Sequence, residues 1–280
     1  MVNCGLTPQN PRPRPRVCAV SYLNTIPLVW GFLQGKERHE VDLSFAVPSL
    51  CAERVAEGAA DIGIIPVIEA ARLGLDMVET VGIACRGPVR TILLVSRKSF
   101  EQIRTLAVDT GSRTSVQLAR IVLKHRFNAA PELLPMPPDL PAMLEAADAA
   151  LVIGDAALAI DPTDLDYPCL DLGAEWVDLT GLPMVFALWS GRREVLTPRI
   201  AGLFESSCRF GLAELDRIIS EEAERRGFPE FLVHQYLTRH IVFQLDETDI
   251  RGMREYLRLA ARLPNPVVVG AEAPAAAMAR

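Results

Sequence analysis

Apolar positions in the first hundred residues form short strand patterns that are separated by polar turns. The run from Val17 to Leu23 is β-branched and continuous, which predicts a buried strand. It stops at Asn24-Thr25, and Pro27 stands near the start of a predicted helix. Further strands are predicted at 41–47, 61–67, 77–85 and 90–96. Strand, polar turn and helix in this order indicate an α/β fold.

The second predicted strand leads into a helix that begins at Pro48-Ser49. Ser49 is expected to be its N-cap, because a serine side chain can accept a hydrogen bond from a free N–H group. Glu53 is expected in the first turn, where a negative charge complements the helix dipole.

The middle of the chain repeats the alternation of strands and helices. Strands are predicted at 105–109, 132–135 and 149–153, and helices at 115–127 and 140–147. One more strand is predicted at 183–190. The rest of the chain is almost entirely helical, with segments at 198–224, 230–237 and 247–261. Asp246 and Thr248 are both candidates for the N-cap of the last helix.

These elements predict two lobes, since 280 residues exceed the roughly 100–200 of a typical single domain. One lobe is discontinuous and comprises residues 17–96 plus 184–265, and the other comprises 97–183. The strands at 90–96 and 183–190 are interpreted as crossovers, so a ligand cleft between the lobes and hinge closure are expected. A disordered lead-in at 1–16 and a frayed tail at 266–280 are expected from their composition.

Composition and charge exclude several classes of protein. The formal net charge of −6 and the lack of a basic face argue against nucleic-acid binding. Residues 1–16 contain no apolar segment of signal-peptide length, and no run approaches the roughly 18 apolar residues of a membrane span. We therefore expect a cytoplasmic protein without a membrane partner. The cysteines and histidines show no metal-type spacing, so no metal is expected. The oligomeric state stays open, a homodimer included.

Polar residues collect where predicted strands end, which is where ligands bind in open α/β sheets. Asn24 is either an amide donor to a ligand or part of a local turn or cap. Arg90 is either a carboxylate ligand or a solvated arginine, and Thr91 is either a hydroxyl donor or an ordinary strand residue. The candidate site residues in these segments are Ser21, Asn24, Arg90, Thr91, Gly111, Ser112, Arg113, Thr114, Ser115, Gly154 and Asp155.

The segment from Gly111 to Ser115 carries the strongest signal, because it joins a strand to a helix. Free N–H groups and the helix dipole make such a turn an anion site, unless its residues only cap the helix. Arg113 either binds the ligand or stabilises the lobe. Gly154 permits close backbone approach, and Asp155 is interpreted as structural or indirect, for example as a helix cap. No nucleophile–base pair or acidic dyad is apparent, so we expect more anion donors than acid–base groups.

Six blocks occur in order along the chain: SYLNTIPLVWG (21–31), DIGIIPVIE (61–69), GPVRTILLVS (87–96), DTGSRTSVQLARIVL (109–123), PMPPDLPAMLEAADAALVIGDAAL (135–158) and EWVDLTGLPMVFALW (175–189). Together they resemble the chorismate dehydratase family of the futalosine route to menaquinone. The resemblance covers about residues 17–263. It implies a two-lobed periplasmic-binding-protein-like type II fold with two crossover strands, here cytoplasmic and catalytic.

The resemblance also implies a carbon–oxygen lyase that converts chorismate into 3-[(1-carboxyvinyl)oxy]benzoate and water, without a cofactor. By motif, Asn24 matches the family's active-site asparagine, and Thr91 stands where a small hydroxyl residue, often serine, occurs. Ser112 and Thr114 match the anion-binding turn. The expected mechanism is a dienolate-type elimination, with the enolpyruvyl carboxylate of the substrate as a candidate base.

Two other functions remain open. One is a 1,4-dihydroxy-6-naphthoate synthase-like enzyme of the same pathway, although the GPVR and GSRTS blocks resemble the dehydratase more closely. The other is a non-catalytic carboxylate-binding protein, a class that usually carries a signal peptide or lipobox. Conversion of chorismate into a new aromatic product distinguishes the dehydratase from the binding protein.

Overall fold

The computed structural model describes residues 14–269 and contains two mixed β-sheets packed with helices. The strands are β1 (Arg16–Val20), β2 (Asp42–Ala46), β3 (Ile62–Pro66), β4 (Asp76–Cys85), β5 (Ile92–Ser96), β6 (Thr105–Asp109), β7 (Glu132–Met136), β8 (Ala149–Ile153), β9 (Cys169–Asp171), β10 (Met184–Gly191) and β11 (Val242–Gln244). The helices are α1 (Ile26–Gln34), α2 (Pro48–Ala56), α3 (Val67–Arg72), α4 (Thr114–Phe127), α5 (Leu140–Ala146), α6 (Gly154–Leu158), α7 (Leu172–Thr180), α8 (Pro198–Ala213), α9 (Leu215–Arg226), α10 (Glu230–Gln235) and α11 (Glu247–Ala260).

The two sheets confirm the predicted α/β class. The first has the strand order β11-β4-β10-β3-β1-β2, and the second β7-β6-β8-β5-β9. In the first sheet β1 runs parallel to β2 and β3, whereas β10 is antiparallel to β3 and β4. In the second sheet β6 runs parallel to β7 and β8, whereas β5 is antiparallel to β8 and β9. The chain crosses between the sheets after β4 and returns before β10.

Strand β5 shows why these segments are continuously apolar. Leu93 and Val95 pack in a small core with α5, while Ile92 and Leu94 belong to the large core that both lobes share. Side chains alternate between the two faces of a strand, so a strand buried on both faces is apolar at every position. The strands are therefore buried along their length, while their carboxyl ends are available to form a binding site.

Helix starts and breaks correct three predictions. Ser49 is not an N-cap, because α2 begins at Pro48, with Val47 as its N-cap and no side-chain cap. Glu53 does not lie in the first turn. The single helix predicted over 198–224 is two helices, α8 and α9, which meet at Glu214 with φ −103° and ψ 19°. The predicted cap Asp246 is confirmed, and it forms a capping box on α11 with Asp249.

The ends of the described chain are also more ordered than expected. Arg16, predicted in the lead-in, is the first residue of β1 and pairs with Asp61. The frayed tail was predicted from residue 266, yet Leu133 donates to Val267 O at 2.8 Å and accepts from Val269 N at 2.9 Å. These bonds attach the tail to β7 of the second sheet. The remaining parts of both segments, 1–13 and 270–280, lie outside the described residues.

Within residues 14–269, no helix has both the length and the apolar character needed to cross a membrane.

Candidate functional site

A pocket of about 570 Å³ lies between the two sheets, near the carboxyl ends of β1, β3 and β8. Its wall is mostly apolar, with Val20, Pro48, Pro66, Ile83, Val89, Ile92, Ile153, Phe186 and Ala187. Its polar lining is Tyr22, Asn24, Thr91, Ser112, Arg113, Thr114 and Ser115, together with the backbone of Gly154. The structure thus brings most of the predicted site residues together, whereas Ser21, Arg90, Gly111 and Asp155 do not line the pocket.

The turn before α4 presents free donors to the pocket. No side chain caps α4, and the N–H groups of Thr114 and Ser115 have no acceptor within residues 14–269. The hydroxyl of Ser112 is buried without a hydrogen-bond partner in the same described range. Because α4 spans 14 residues, its dipole adds positive potential at this end. This turn has the properties of an anion site.

The other residues of that turn have different roles. Arg113 is exposed on the pocket rim and forms no ion pair with a described residue. Thr114 donates its hydroxyl to Phe186 O of the first sheet at 3.1 Å, which ties the turn to the opposite lobe. Gly111 donates its N–H to the Asp109 carboxylate at 2.8 Å. Burial raises the pKa of Asp109, and this N–H opposes the rise.

Asn24 and Thr91 meet at one buried phenol. Asn24 Nδ2 donates to the hydroxyl of Tyr236 at 2.9 Å, and Thr91 Oγ1 lies 3.0 Å from the same oxygen. Asn24 Oδ1 is buried and has no donor among residues 14–269. Asn24 was expected to be a donor to the ligand, but the atom left without a partner is its acceptor. No sequence pattern singled out Tyr236, which follows α10 in the helical last third of the chain.

Tyr22 closes the pocket against Gly154. The glycine has φ +62°, and a Cβ at this position would lie 2.8 Å from the Tyr22 ring. Only glycine suits both the backbone conformation and this close approach. Tyr22 was not selected from the sequence, although its neighbours were. The contact joins the segment after β1 to the start of α6, so it bridges the lobes.

Asp155 and Ser21 lie at the lobe contact next to the pocket. The Asp155 carboxylate accepts from Leu23 N at 3.1 Å and from the Arg226 guanidinium. Arg226 also donates to Ser21 O at 3.2 Å and to Glu222 at 2.7 Å. Asp155 is therefore not the cap of α6, whose N-cap is Ile153. Burial raises the pKa of Asp155, and the Arg226 charge opposes that rise.

Arg90 supports the crossover and does not face the pocket. Its backbone has φ +69°, and its N–H donates to Asp171 at 2.6 Å. Its guanidinium donates to the carbonyls of Ala157 and Ile160 at the end of α6. These bonds hold the guanidinium against the end of α6, and Arg90 does not line the pocket, so we assign it a structural role in place of the expected carboxylate contact.

The pocket lining is rich in hydrogen-bond donors and poor in side chains that could take a proton. No Asp, Glu, His or Cys side chain is among its lining residues. Within the part of the chain that the structure describes, no group of three or more His, Cys, Asp or Glu side chains is placed to hold a metal ion. Stabilisation of negative charge by fixed donors is the chemistry that these residues can provide.

The chain matches a known protein family and resembles several known sequences and structures. Residues 15–262 match the family model described as menaquinone biosynthesis. The chorismate dehydratase of Thermus thermophilus is 29% identical over 198 residues, which cover 65% of this chain and 72% of that protein. Protein AF1704 from Archaeoglobus fulgidus has a TM-score of 0.71 at 18% identity, over 89% of this chain and 97% of that one. The periplasmic aliphatic sulphonate binding protein SsuA of Escherichia coli has a TM-score of 0.58 at 18% identity, over 88% and 91%.

Proposed function

Because the chain belongs to the menaquinone biosynthesis family, we propose that it is a chorismate dehydratase. It converts chorismate into 3-[(1-carboxyvinyl)oxy]benzoate and water, a step of menaquinone biosynthesis by the futalosine pathway. The observation that carries this proposal is the uncapped α4 turn beside an apolar wall. That combination suits a small, doubly charged ring compound.

The α4 turn holds a carboxylate of the substrate. The free N–H groups of Thr114 and Ser115 and the buried Ser112 hydroxyl supply hydrogen bonds without a bound counter-ion. Arg113 on the rim adds positive charge, and its exposure suits attraction of an anion from solution. The apolar residues opposite cover the ring.

The reaction needs little more than charge stabilisation and one fixed conformation. Removal of the ring proton beside the ether oxygen gives a dienolate delocalised into the ring carboxylate. Departure of the hydroxyl group then forms the aromatic ring, and the removed proton and the departing hydroxide leave as water. Fixed donors at the carboxylate lower the energy of the dienolate, and closure of the lobes holds the reacting groups in place.

Asn24 and Thr91 contact the leaving hydroxyl. An alcohol both donates and accepts, and these two side chains offer a complementary acceptor and donor. The unpartnered Oδ1 of Asn24 accepts from the substrate, while the Thr91 hydroxyl donates to the departing oxygen. Donation to that oxygen grows stronger as negative charge develops on it.

The base is the enolpyruvyl carboxylate of chorismate itself. The lining offers no carboxylate, imidazole or thiolate that could take the proton. Asp109 lies behind the turn and already accepts from Gly111. The role of the pocket is then to fold the substrate so that its own carboxylate reaches the ring proton.

Incubation of the purified protein with chorismate, followed by chromatography and mass determination, tests this function. We expect a new aromatic product that is lighter than chorismate by one water, formed far more slowly by an Asn24→Ala variant. Binding of chorismate without turnover would favour a carboxylate-binding protein, as the fold of the SsuA-like neighbours allows. Neither binding nor turnover would leave the naphthoate synthase-like alternative.

A further inference from the structure

Tyr236 is a fully buried tyrosine at the back of the pocket, 1% exposed. It begins a π-helical turn, Tyr236–His240, that continues α10. Such turns are rare in proteins, and those that occur often lie at functional sites, because the wider turn changes the direction of the side chains. Here the phenol oxygen lies between Asn24 and Thr91, which stand 212 and 145 residues away in sequence.

The hydrogen bonds around the phenol have one direction that satisfies every donor. Asn24 Nδ2 can only donate, so the Tyr236 oxygen accepts from it. The Tyr236 proton then has one acceptor within 3.5 Å in the described structure, Thr91 Oγ1 at 3.0 Å. The reverse arrangement would leave a phenol proton buried without an acceptor, which is costly.

This direction fixes what Thr91 presents to the pocket. With the phenol donating to its oxygen, the Thr91 proton is left for Val89 O at 3.4 Å, a weak bond, or for a ligand. Asn24, which lines the pocket, is fixed by the same phenol and keeps its Oδ1 without a donor among the described residues. The Tyr236 phenol thus holds the Thr91 donor and the Asn24 acceptor side by side.

The π turn is also anchored to the crossover at a second point. His240 Nδ1 lies 2.9 Å from Pro88 O, and since a carbonyl only accepts, the imidazole donates. The segment 88–91 is therefore held at both ends by the same turn. Burial raises the pKa of the Tyr236 phenol, so it keeps its proton through the neutral range.

We propose that Tyr236 is a positioning residue that orients Asn24 and Thr91 for the departure of the substrate hydroxyl, an inference that rests on the proposed function. Its hydroxyl acts through these two side chains and does not touch the substrate. Tyr236→Phe removes only that oxygen and keeps the ring that fills the core.

A mutant cycle on chorismate turnover tests this role. We expect Tyr236→Phe to lower kcat about tenfold or more with KM changed less than about threefold, since the two hydrogen bonds that orient Asn24 and Thr91 are lost. Because Tyr236 also orients Asn24, the same change in a Thr91→Val background should have a smaller further effect, whereas in a Thr91→Ser background it should keep its full effect. Equal losses in all backgrounds, or an unchanged kcat, would overturn the proposal.

Crystal structures supply a readout that does not depend on activity. We expect the Asn24 amide or the Thr91 hydroxyl to rotate in Tyr236→Phe, because each loses its fixed partner. Both side chains unmoved would contradict the proposal. A wild-type protein that leaves chorismate intact would reject the proposed function alone, since the rotations can still be observed.

Discussion

Asn24 lines the pocket, and its side-chain polar atom that has no partner among the described residues is the acceptor Oδ1. We expect Asn24→Ala to lower kcat about 100-fold or more and to change KM only a few fold, because the lost contact forms at the departing hydroxyl. Steady-state kinetics with chorismate measure both. Thr25→Val is the matched control: it removes a neighbouring buried hydroxyl that has no partner among the described residues and does not line the pocket. Comparable losses in kcat and affinity would reject the role given to Asn24.

Gly154 lets the two lobes approach through Tyr22. In Gly154→Ala the new methyl would meet the tyrosine ring at 2.8 Å, so we expect KM to rise on the order of tenfold to 100-fold. Gly181→Ala is the control, because Gly181 has a similar φ of +68° but nothing within 4 Å of an added Cβ. A similar KM for both variants would show that backbone strain, and not the lobe contact, matters.

At the residue scale, the sequence identifies those site residues that lie next to strands. Asn24 and the Ser112–Ser115 turn follow β1 and β6, and Thr91 directly precedes β5, where the period of two and the turn chemistry are visible. Tyr236 carries no such signal, since its role arises from a contact across 145 residues. The expected role of Arg90 was wrong because its left-handed backbone conformation, which turns the side chain toward α6, cannot be read from the residue type.

At the element scale, the start of β1 depends on a pair of charges. Arg16 donates its backbone N–H to Asp61 at 2.8 Å and its guanidinium to the same carboxylate at 2.7 Å. The Arg16 guanidinium holds the pKa of Asp61 below its usual range. A carboxyl with a lowered folded pKa stabilises the fold above its unfolded pKa of roughly 3.9, and that stability is lost as pH falls through the folded pKa.

We therefore expect Asp61→Asn to unfold at lower denaturant concentration than wild type at pH 7, and the difference to shrink as pH falls below about 4. Urea unfolding at several pH values measures this. Asp42→Asn is a useful comparison, because Asp42 has only a long, exposed contact of 4.0 Å with Arg14. A difference that stays constant with pH would contradict the pKa argument.

Strands were easier to predict than helix boundaries. Each buried strand is a short apolar run closed by Pro, Gly or a polar turn, and β6 and β8 have the predicted bounds. The break between α8 and α9 has no such mark. The end of α8 packs closely on α1, where a Cβ added at Gly211 would be 2.0 Å from Pro27 O. The short strand β9 and helix α7 were not predicted at all.

At the scale of the whole molecule, Arg226 links the lobes through Asp155. Its side chain is 11% exposed and also pairs with Glu222, so its removal leaves the largely buried Asp155 carboxylate without an ion-pair partner and takes from Glu222 one of its two arginines. We expect Arg226→Gln to lower the free energy of unfolding by about 3 kcal/mol and to raise KM. Urea unfolding and kinetics measure these effects, and small-angle scattering should show a wider free protein.

Arg225→Gln is the matched control for Arg226, because Arg225 pairs with Glu222 but reaches no residue of the second lobe. Its side chain is 57% exposed, so a loss below about 1 kcal/mol is expected. Equal losses for the two variants would show that the lobe contact adds nothing.

The overall architecture was predictable because the order of strands and helices implies two sheets joined by crossovers. The contacts that close the two lobes on each other were not predictable, since they depend on side chains from segments that are distant in sequence. Thr114 reaches Phe186, and Tyr256 donates to Thr114 O at 3.0 Å. The pairing of Leu133 with the tail likewise joins segments that no local pattern relates.

A crystal structure with 3-[(1-carboxyvinyl)oxy]benzoate bound tests most directly the claim that fixed donors between the lobes hold a dicarboxylate for aromatisation. We expect a carboxylate on the N–H groups and hydroxyl of the Ser112–Ser115 turn, with the ring against the apolar wall near Asn24 and Thr91. A product bound elsewhere, or one that leaves this turn without a ligand, would contradict it.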